Sequence, residues 1–146
     1  MLAISSCLVG KKCRFDGNDS FNAELVYQLQ QAGTGYIDLC PEVLGGLSVP
    51  RSPCEIVGGT GREVFEGSAQ ILTADGEDFT DAYIAGALDA LRICKEHKVR
   101  KAYLKSRSPS CGCGEIYDGS FSKKLRKGNG VFAELLQQNG IEVVAV

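Results

Sequence analysis

Hydrophobic and polar positions along the chain alternate between short apolar runs and longer amphipathic segments. The apolar runs predict four strands, over residues 2–6, 36–40, 100–105 and 141–146. The amphipathic segments predict three helices, over residues 22–32, 79–97 and 129–139. Asn22 is the expected N-cap of the first helix, and Gly33 is its expected stop. Strands therefore alternate with helices over most of the chain.

The longest predicted helix, 79–97, has a clear apolar stripe that is expected to face a core. Its entry is predicted at Asp78 or Thr80, both good capping residues. Apolar residues recur at helical spacing, at Tyr83, Ala87, Ala90 and Cys94. Cys94 is therefore expected to be a core residue.

The segments between these elements include two long loops and one possible hairpin. Residues 41–55 contain three prolines and two glycines and predict a long loop, which in a compact domain is usually functional. Residues 106–114 predict a second loop. Residues 62–65 and 69–73 are interpreted as a hairpin around Glu66-Gly67.

Strands separated by helices predict a single α/β domain over residues 1–146. The expected architecture is an open, mainly parallel, Rossmann-like sheet with helices on both faces. Such sheets bind ligands beyond the carboxyl ends of their strands. Cys7 follows the first strand, Cys40 ends the second, and Cys111 lies in the loop after the third. We therefore expect these three thiols at one edge of the sheet.

Composition, net charge and the lengths of the apolar runs limit the class of protein. The 146 residues are 44% hydrophobic and 23% charged, which is ordinary for a soluble domain. Eighteen acidic and sixteen basic residues give a net charge of −2, which argues against a dedicated nucleic-acid surface. No apolar run is long enough to span a membrane, and the N-terminus does not resemble a signal peptide, so a cytoplasmic protein is expected.

Seven cysteines and a single histidine point to thiolate chemistry. An odd number of cysteines without a secretion signal makes a disulfide framework a poor interpretation. No C-x-x-C pair is present, so zinc ribbons and thioredoxin-like sites lack their motif. Three thiolates suit a site with one open position, and soft ligands favour an iron–sulfur cluster, zinc or cuprous copper. Further cysteines in nearby loops could be a fourth ligand, a redox partner or neither, namely Cys13, Cys54 and Cys113.

Other polar residues accompany the three cysteines. Glu42 follows Cys40 by two residues and is a candidate proton carrier. Three serines flank Cys111, at positions 106, 108 and 110. Gly45-Gly46 is consistent with a simple turn or with a close approach of backbone to a ligand.

Four segments, taken together and in order, resemble the thiouracil desulfidase family. They are SSCLVGKKCRFDG, CPEVLGGLSVPRSPCE, LKSRSPSCG and IYDGSF. The resemblance extends from Ser6 to near Gly130, which is almost the whole chain.

The resemblance implies a [4Fe-4S] cluster held by Cys7, Cys40 and Cys111, with an open fourth iron that takes the sulfur of a thiolated pyrimidine. It also implies that Glu42 is the catalytic acid–base residue and Ser108 the catalytic serine. The implied reaction is hydrolysis of the C–S bond without net electron transfer, on thiouracil or a thiouridine nucleotide. Cys13 and Cys113 are additional thiols, and a fourth thiolate would close the open iron.

Two other functions remain open at this point. One is a metal- or cluster-binding redox or sensor module without turnover. The other is a nucleotide-binding domain whose phosphate contacts come from basic residues, namely Lys11, Lys12, Arg14 and Arg51. The expected partner is a small molecule, with no membrane, and the sequence carries no signal of oligomeric state.

Overall fold

The computed structural model describes all residues, 1–146, and shows an α/β fold with eight strands and five α-helices. In chain order the elements are β1 (Leu2–Ser5), a 3-10 helix (Ser6–Val9), α1 (Ala23–Gln31), β2 (Tyr36–Leu39), α2 (Pro41–Leu44), β3 (Cys54–Val57), α3 (Gly61–Glu66), β4 (Gln70–Thr73), α4 (Thr80–Glu96), β5 (Lys101–Leu104), β6 (Glu115–Tyr117), β7 (Leu125–Lys127), α5 (Val131–Gln138) and β8 (Glu142–Ala145).

The main sheet has four parallel strands in the order β2-β1-β5-β8. These are the four predicted strands, each within one or two residues of its expected ends. Alternate residues of β1 point to opposite faces, as a pleated strand requires. Ala3 packs into the core cluster that includes residues of α4 and α5, whereas Ile4 packs with Leu29 of α1. Helices therefore cover both faces, and the predicted architecture is confirmed.

The predicted helices are present, with ends set by local hydrogen bonds. The Asn22 side chain accepts a hydrogen bond from the Leu25 amide at 3.0 Å and so begins α1. The Thr80 amide donates to the Asp78 carboxylate at 2.8 Å, but the N-cap of α4 is Phe79, between the two residues predicted for that position, and it makes no side-chain capping bond. Cys94 is fully buried among the core residues of α4, which confirms its predicted place in the core.

The region 41–73 differs from the sequence prediction. The segment expected to be a long loop contains α2 at its start and the first residues of β3 at its end. The predicted hairpin around Glu66-Gly67 is wrong, because Gly61–Glu66 is the helix α3 and β4 pairs instead with β3. The Glu63 carboxylate accepts the Thr60 amide at 3.0 Å, and this contact closes the first turn of α3.

A second antiparallel pair, β6 with β7, was not predicted from the sequence. All three residues of β7 are exposed, so this strand has no buried apolar positions. Because strand prediction relies on apolar alternation, an exposed polar strand leaves no such pattern.

Two glycines allow α2 to lie directly against α4. A side chain on Gly86 would collide with the Pro41 carbonyl oxygen, and one on Gly45 would collide with the Ala82 carbonyl oxygen. The backbones of the two helices therefore approach as only glycine permits. This packing fixes the position of α2, the helix that begins immediately after Cys40. No helix of the structure has the length and apolar character needed to cross a membrane.

Candidate active site

The three cysteines singled out from the sequence lie at the same edge of the sheet. Cys7 is in the 3-10 helix directly after β1, Cys40 immediately follows β2, and Cys111 is in the loop after β5. Since β1 lies between β2 and β5 and all three strands are parallel, their carboxyl ends meet at one edge. All three thiols are free, and Cys7 and Cys111 are buried.

The three thiols lie close enough for the charge of each to affect the pKa of its neighbours. The pKa of Cys7 lies below its usual value, chiefly because the Cys13 side chain hydrogen-bonds to it, while burial and the charges of Cys111 and Cys40 act in the opposite direction. Burial raises the pKa of Cys111 to about 12, and the charges of Glu42 and Cys40 add to this effect. Each pair among Cys7, Cys40 and Cys111 is therefore within electrostatic range.

Cys13 is a fourth thiol in the same place. Its side chain raises the pKa of Cys40, and burial of Cys40 adds to that rise. The pKa of Cys13 itself is raised to about 11, with the Cys40 side chain lowering it and the Cys7 thiol and burial raising it. The Cys40 sulfur also lies 3.9 Å from the Cys13 carbonyl oxygen. Cys13 thus lies beside Cys40 and packs against the apolar cluster that contains Cys7.

The other two loop cysteines lie apart from this group. The Cys113 sulfur accepts a hydrogen bond from the Gln137 amide at 3.4 Å, on the side of the fold formed by α5. Cys54 is buried at the start of β3, with its sulfur 3.8 Å from the Ser52 carbonyl oxygen.

Glu42 is the centre of a buried hydrogen-bond network. One carboxylate oxygen, Oε1, accepts from Arg51 Nε at 3.2 Å, from Arg51 Nη2 at 3.0 Å and from the Tyr83 hydroxyl at 3.0 Å. The other oxygen, Oε2, accepts from the Ser110 hydroxyl at 2.7 Å. The Arg51 and Glu42 side chains are only 8% and 13% exposed, so the ion pair is shielded from solvent.

The serine-rich loop connects Glu42 to Cys111. The Ser108 hydroxyl oxygen accepts the Cys111 amide at 2.7 Å and lies 3.4 Å from the Ser110 hydroxyl oxygen. Ser110 is buried, and its hydroxyl is 3.8 Å from the Cys111 sulfur. Ser106 is outside this network. Its backbone amide donates to the Val146 carbonyl, directly after β8. The structure therefore brings Ser108 to Glu42 through Ser110.

A cavity of about 430 Å³ adjoins the partners of Glu42. Its walls include apolar side chains, hydroxyl groups, a thiol and a guanidinium, from Leu47, Ser48, Arg51, Cys54, Phe79 and Tyr83. Arg51 and Tyr83 belong both to this cavity and to the Glu42 network. None of Cys7, Cys40 and Cys111 lines it.

The basic residues proposed to bind phosphate are largely committed to acidic partners. Lys11 Nζ lies 2.7 Å from Asp38, and Arg51 is bound to Glu42. Arg14 Nε lies 3.6 Å from the Asp16 carboxylate. Gly45 is explained by the packing of α2 on α4, so it does not point to a ligand. These contacts remove most of the support for a phosphate site on these residues.

Sequence reasoning missed the role of Tyr83 at this site. It was assigned to the apolar stripe of α4, where it does lie, at 2% exposure. A tyrosine on a buried stripe brings a hydroxyl that needs a hydrogen-bond partner, and this requirement is the signal that could have identified it. Its partner, Glu42, is 41 residues away in the chain, and no local pattern specifies that contact.

A parallel α/β fold with thiols gathered at the carboxyl edge and a largely buried carboxylate beside them is the kind of site that can hold a cofactor through cysteine. The chain matches the 2-thiouracil desulfurase family over residues 2–146, and it belongs to that family. It is 44% identical over 145 residues to the "Uncharacterized protein YbbK" of Bacillus subtilis (strain 168), with 99% of this chain and 95% of that protein covered.

A solved structure shares the fold. It is named as the [4Fe-4S]-dependent thiouracil desulfidase TudS (DUF523Vcz), and it superimposes with a TM-score of 0.84 at 35% sequence identity. The match covers 99% of this chain and 89% of the other. The resemblance drawn from the sequence motifs is thereby confirmed at the level of family and fold.

The donor set at the sheet edge fits an iron–sulfur cluster. No group of three or more His, Cys, Asp or Glu side chains is arranged to hold a single metal ion. Cysteine thiolates are the usual ligands of iron–sulfur clusters, and soft thiols suit iron in such clusters. Glu42, a hard donor, has its carboxylate occupied by Arg51, Tyr83 and Ser110. The cysteines are therefore the groups at this edge that remain available as ligands.

Proposed function

We propose that this chain is an enzyme that removes sulfur from a thiolated pyrimidine by hydrolysis, with a [4Fe-4S] cluster as cofactor. The proposed cluster ligands are Cys7, Cys40 and Cys111. The observation that carries the proposal is the convergence of these thiols beside the Glu42–Ser110 pair in a member of the 2-thiouracil desulfurase family. The solved relative, named as a [4Fe-4S]-dependent thiouracil desulfidase, supports the same assignment.

The chemistry divides between cofactor and protein. When bound, the cluster supplies a soft Lewis acid for the thiocarbonyl sulfur. Glu42 would accept a proton from the attacking water, whose oxygen replaces the sulfur on the ring carbon, and would return that proton to the departing sulfide as the C–S bond breaks. Its Oε2 atom is suited to this role because it is hydrogen-bonded to Ser110, whose hydroxyl is 3.8 Å from the Cys111 sulfur. Ser108 orients the reacting groups and exchanges protons with Glu42 through Ser110. The proposed reaction involves no net electron transfer.

The match to the 2-thiouracil desulfurase family supports a small thiolated heterocycle as the substrate. We propose thiouracil or a thiouridine nucleotide as the substrate, with the whole chain, 1–146, acting as one domain. We also propose a cytoplasmic location, because seven free thiols favour a reducing compartment.

A second candidate function is supported by Cys13. Its contacts with Cys7 and Cys40 would suit a cluster-binding redox or sensor module without turnover. The two candidates share the cofactor and differ in whether sulfide is released from substrate.

The test uses protein reconstituted anaerobically with iron and sulfide. Iron content and sulfide release are measured with 2-thiouracil and with a thiouridine monophosphate. Release over many turnovers, abolished in Glu42→Gln and retained in the core variant Cys94→Ala, supports the enzyme. A full complement of iron without release from either compound rejects it in favour of the sensor. Failure to bind iron rejects both.

A further inference from the structure

Arg51 joins three separate segments around the candidate active site. Two of its nitrogens donate to Glu42 Oε1, at 3.2 and 3.0 Å. Nη2 also donates to the Cys13 carbonyl at 3.0 Å, and Nη1 donates to the Ser48 carbonyl at 3.1 Å. The Arg51 amide in turn donates to the Phe15 carbonyl at 2.8 Å. One buried guanidinium therefore connects the loop that carries Cys13 with the helix that carries Glu42.

The two oxygens of Glu42 have unequal surroundings. Oε1 accepts three hydrogen bonds, two from Arg51 and one from Tyr83, which exceeds the two lone pairs of a carboxylate oxygen. Oε2 accepts a single hydrogen bond, from Ser110. One oxygen is thus fully occupied by the protein, while the other keeps the capacity to interact with a further group.

We infer that Arg51 and Tyr83 are positioning residues that hold Glu42 Oε1. They leave Oε2 as the carboxylate oxygen that transfers protons during the reaction. The inference rests on the proposed function and deepens it by assigning the reactive atom. Arg51 suits this task because its planar fork fixes the orientation of a carboxylate, which the point charge of a lysine cannot do. Tyr83 adds a third donor from α4, so the carboxylate cannot rotate without breaking contacts in two elements.

The test compares Arg51→Ala, Arg51→Lys and Tyr83→Phe with Arg92→Ala. Arg92 is a suitable control because it too is an arginine in ion pairs, here with Asp89 and Glu96, but on an exposed face of α4. We expect the iron content of all four variants to equal that of the wild type. Misplacement of a catalytic group costs up to about 10²-fold, so kcat should fall by roughly 10- to 10²-fold in Arg51→Ala with little change in KM.

Rescue experiments separate positioning from a purely structural role. Added guanidinium should restore part of kcat in Arg51→Ala and have no effect on Arg92→Ala. Arg51→Lys should remain impaired although its charge is kept, and Tyr83→Phe should lose kcat although its ring is kept. The inference is overturned if Arg51→Lys and Tyr83→Phe have wild-type kcat. It is also overturned if Arg51→Ala loses its iron together with its activity and guanidinium restores neither.

A second measurement does not depend on activity. In cluster-free protein, Arg51→Ala should lower Tm less in a Glu42→Gln background than in the wild type, because the ion pair is then already lost. Equal lowering in both backgrounds overturns the inference. If the wild type releases no sulfide from either compound, the proposed function is rejected, and this cycle alone decides whether Arg51 holds Glu42.

Discussion

The hydroxyl of Ser110 lies 2.7 Å from Oε2 of Glu42, although 68 residues separate the two in the chain. Ser110 belongs to the loop after β5, and Glu42 belongs to α2, which follows β2. These strands are not neighbours, since β1 lies between them. The contact therefore crosses the carboxyl edge of the sheet, over the position where β1 delivers Cys7.

Ser110→Ala tests the importance of this contact. The substitution leaves Oε2 without its only protein partner, so sulfide release should fall by about tenfold or more, within the range expected for a displaced catalytic group. Ser106→Ala is the matched control, because Ser106 lies in the same loop but has no side-chain contact with Glu42. Equal rates for the two variants would show that the Ser110 contact has no role in turnover.

Glu42→Gln tests the proposed acid–base role. The amide keeps the size of the side chain but cannot carry the proton, so we expect a loss of about 10²–10⁴-fold in kcat. Iron content should be unchanged, because the carboxylate is not a proposed ligand. Measurement of iron and sulfide release on the same sample distinguishes the outcomes. Loss of iron along with activity would indicate that Glu42 instead supports the loop structure.

Substitution of the cysteines one at a time tests the ligand set. Cys7→Ala, Cys40→Ala and Cys111→Ala should each lose most of the bound iron, because a cluster with two thiolates is poorly held. Cys94→Ala should keep full iron and lose about 1 kcal/mol of unfolding free energy, since Cys94 is buried in the core. Normal iron in any of the first three variants would contradict the proposed ligands.

The sequence predicted the parts of this structure that depend on local pattern. The four parallel strands are short apolar runs, of which the central β1 and β5 are the most buried, and Asn22 begins α1 as its side chain suggests. The same order of strands and helices placed three cysteines at one edge. The thiouracil desulfidase resemblance assigned Glu42 to the same group.

One of the parts that failed depends on a local contact, and the others depend on contacts between separate segments. The apolar positions within residues 62–65 fit either a short strand or a helix. The hydrogen bond between the Thr60 amide and the Glu63 carboxylate stabilises the helix. The contacts of Arg51 and Tyr83 with Glu42 span 9 and 41 residues of the chain, beyond the reach of a helix or strand period. No spacing rule connects residues that meet only after the sheet has formed.

Gly86→Ala tests whether the close packing of α2 on α4 positions the site. The added methyl group collides with the Pro41 carbonyl, and overpacking of this kind costs about 1–3 kcal/mol of unfolding free energy. Because Cys40 and Glu42 flank Pro41, we also expect reduced iron content and slower sulfide release. Leu88→Ala, an exposed change in the same helix, is the control for iron and rate. Wild-type iron and rate in Gly86→Ala would show that α2 tolerates the displacement.

Removal of the cluster should leave the fold in place. A chain of this length buries enough apolar surface to fold without a metal, and the core residues are packed by α4, α5 and the sheet. We therefore expect the far-ultraviolet circular dichroism of chelator-treated protein to match that of the loaded form. Cooperative loss of helix signal on chelation would instead show that the cofactor is required for folding, as in zinc fingers.

The arrangement of the sheet also determines when the cofactor can be acquired during the life of the chain. Cys7 and Cys40 emerge early from the ribosome, but Cys111 reaches the site only after β5 has paired with β1. The three proposed ligands would therefore be in place together only after the central strands of the sheet have paired.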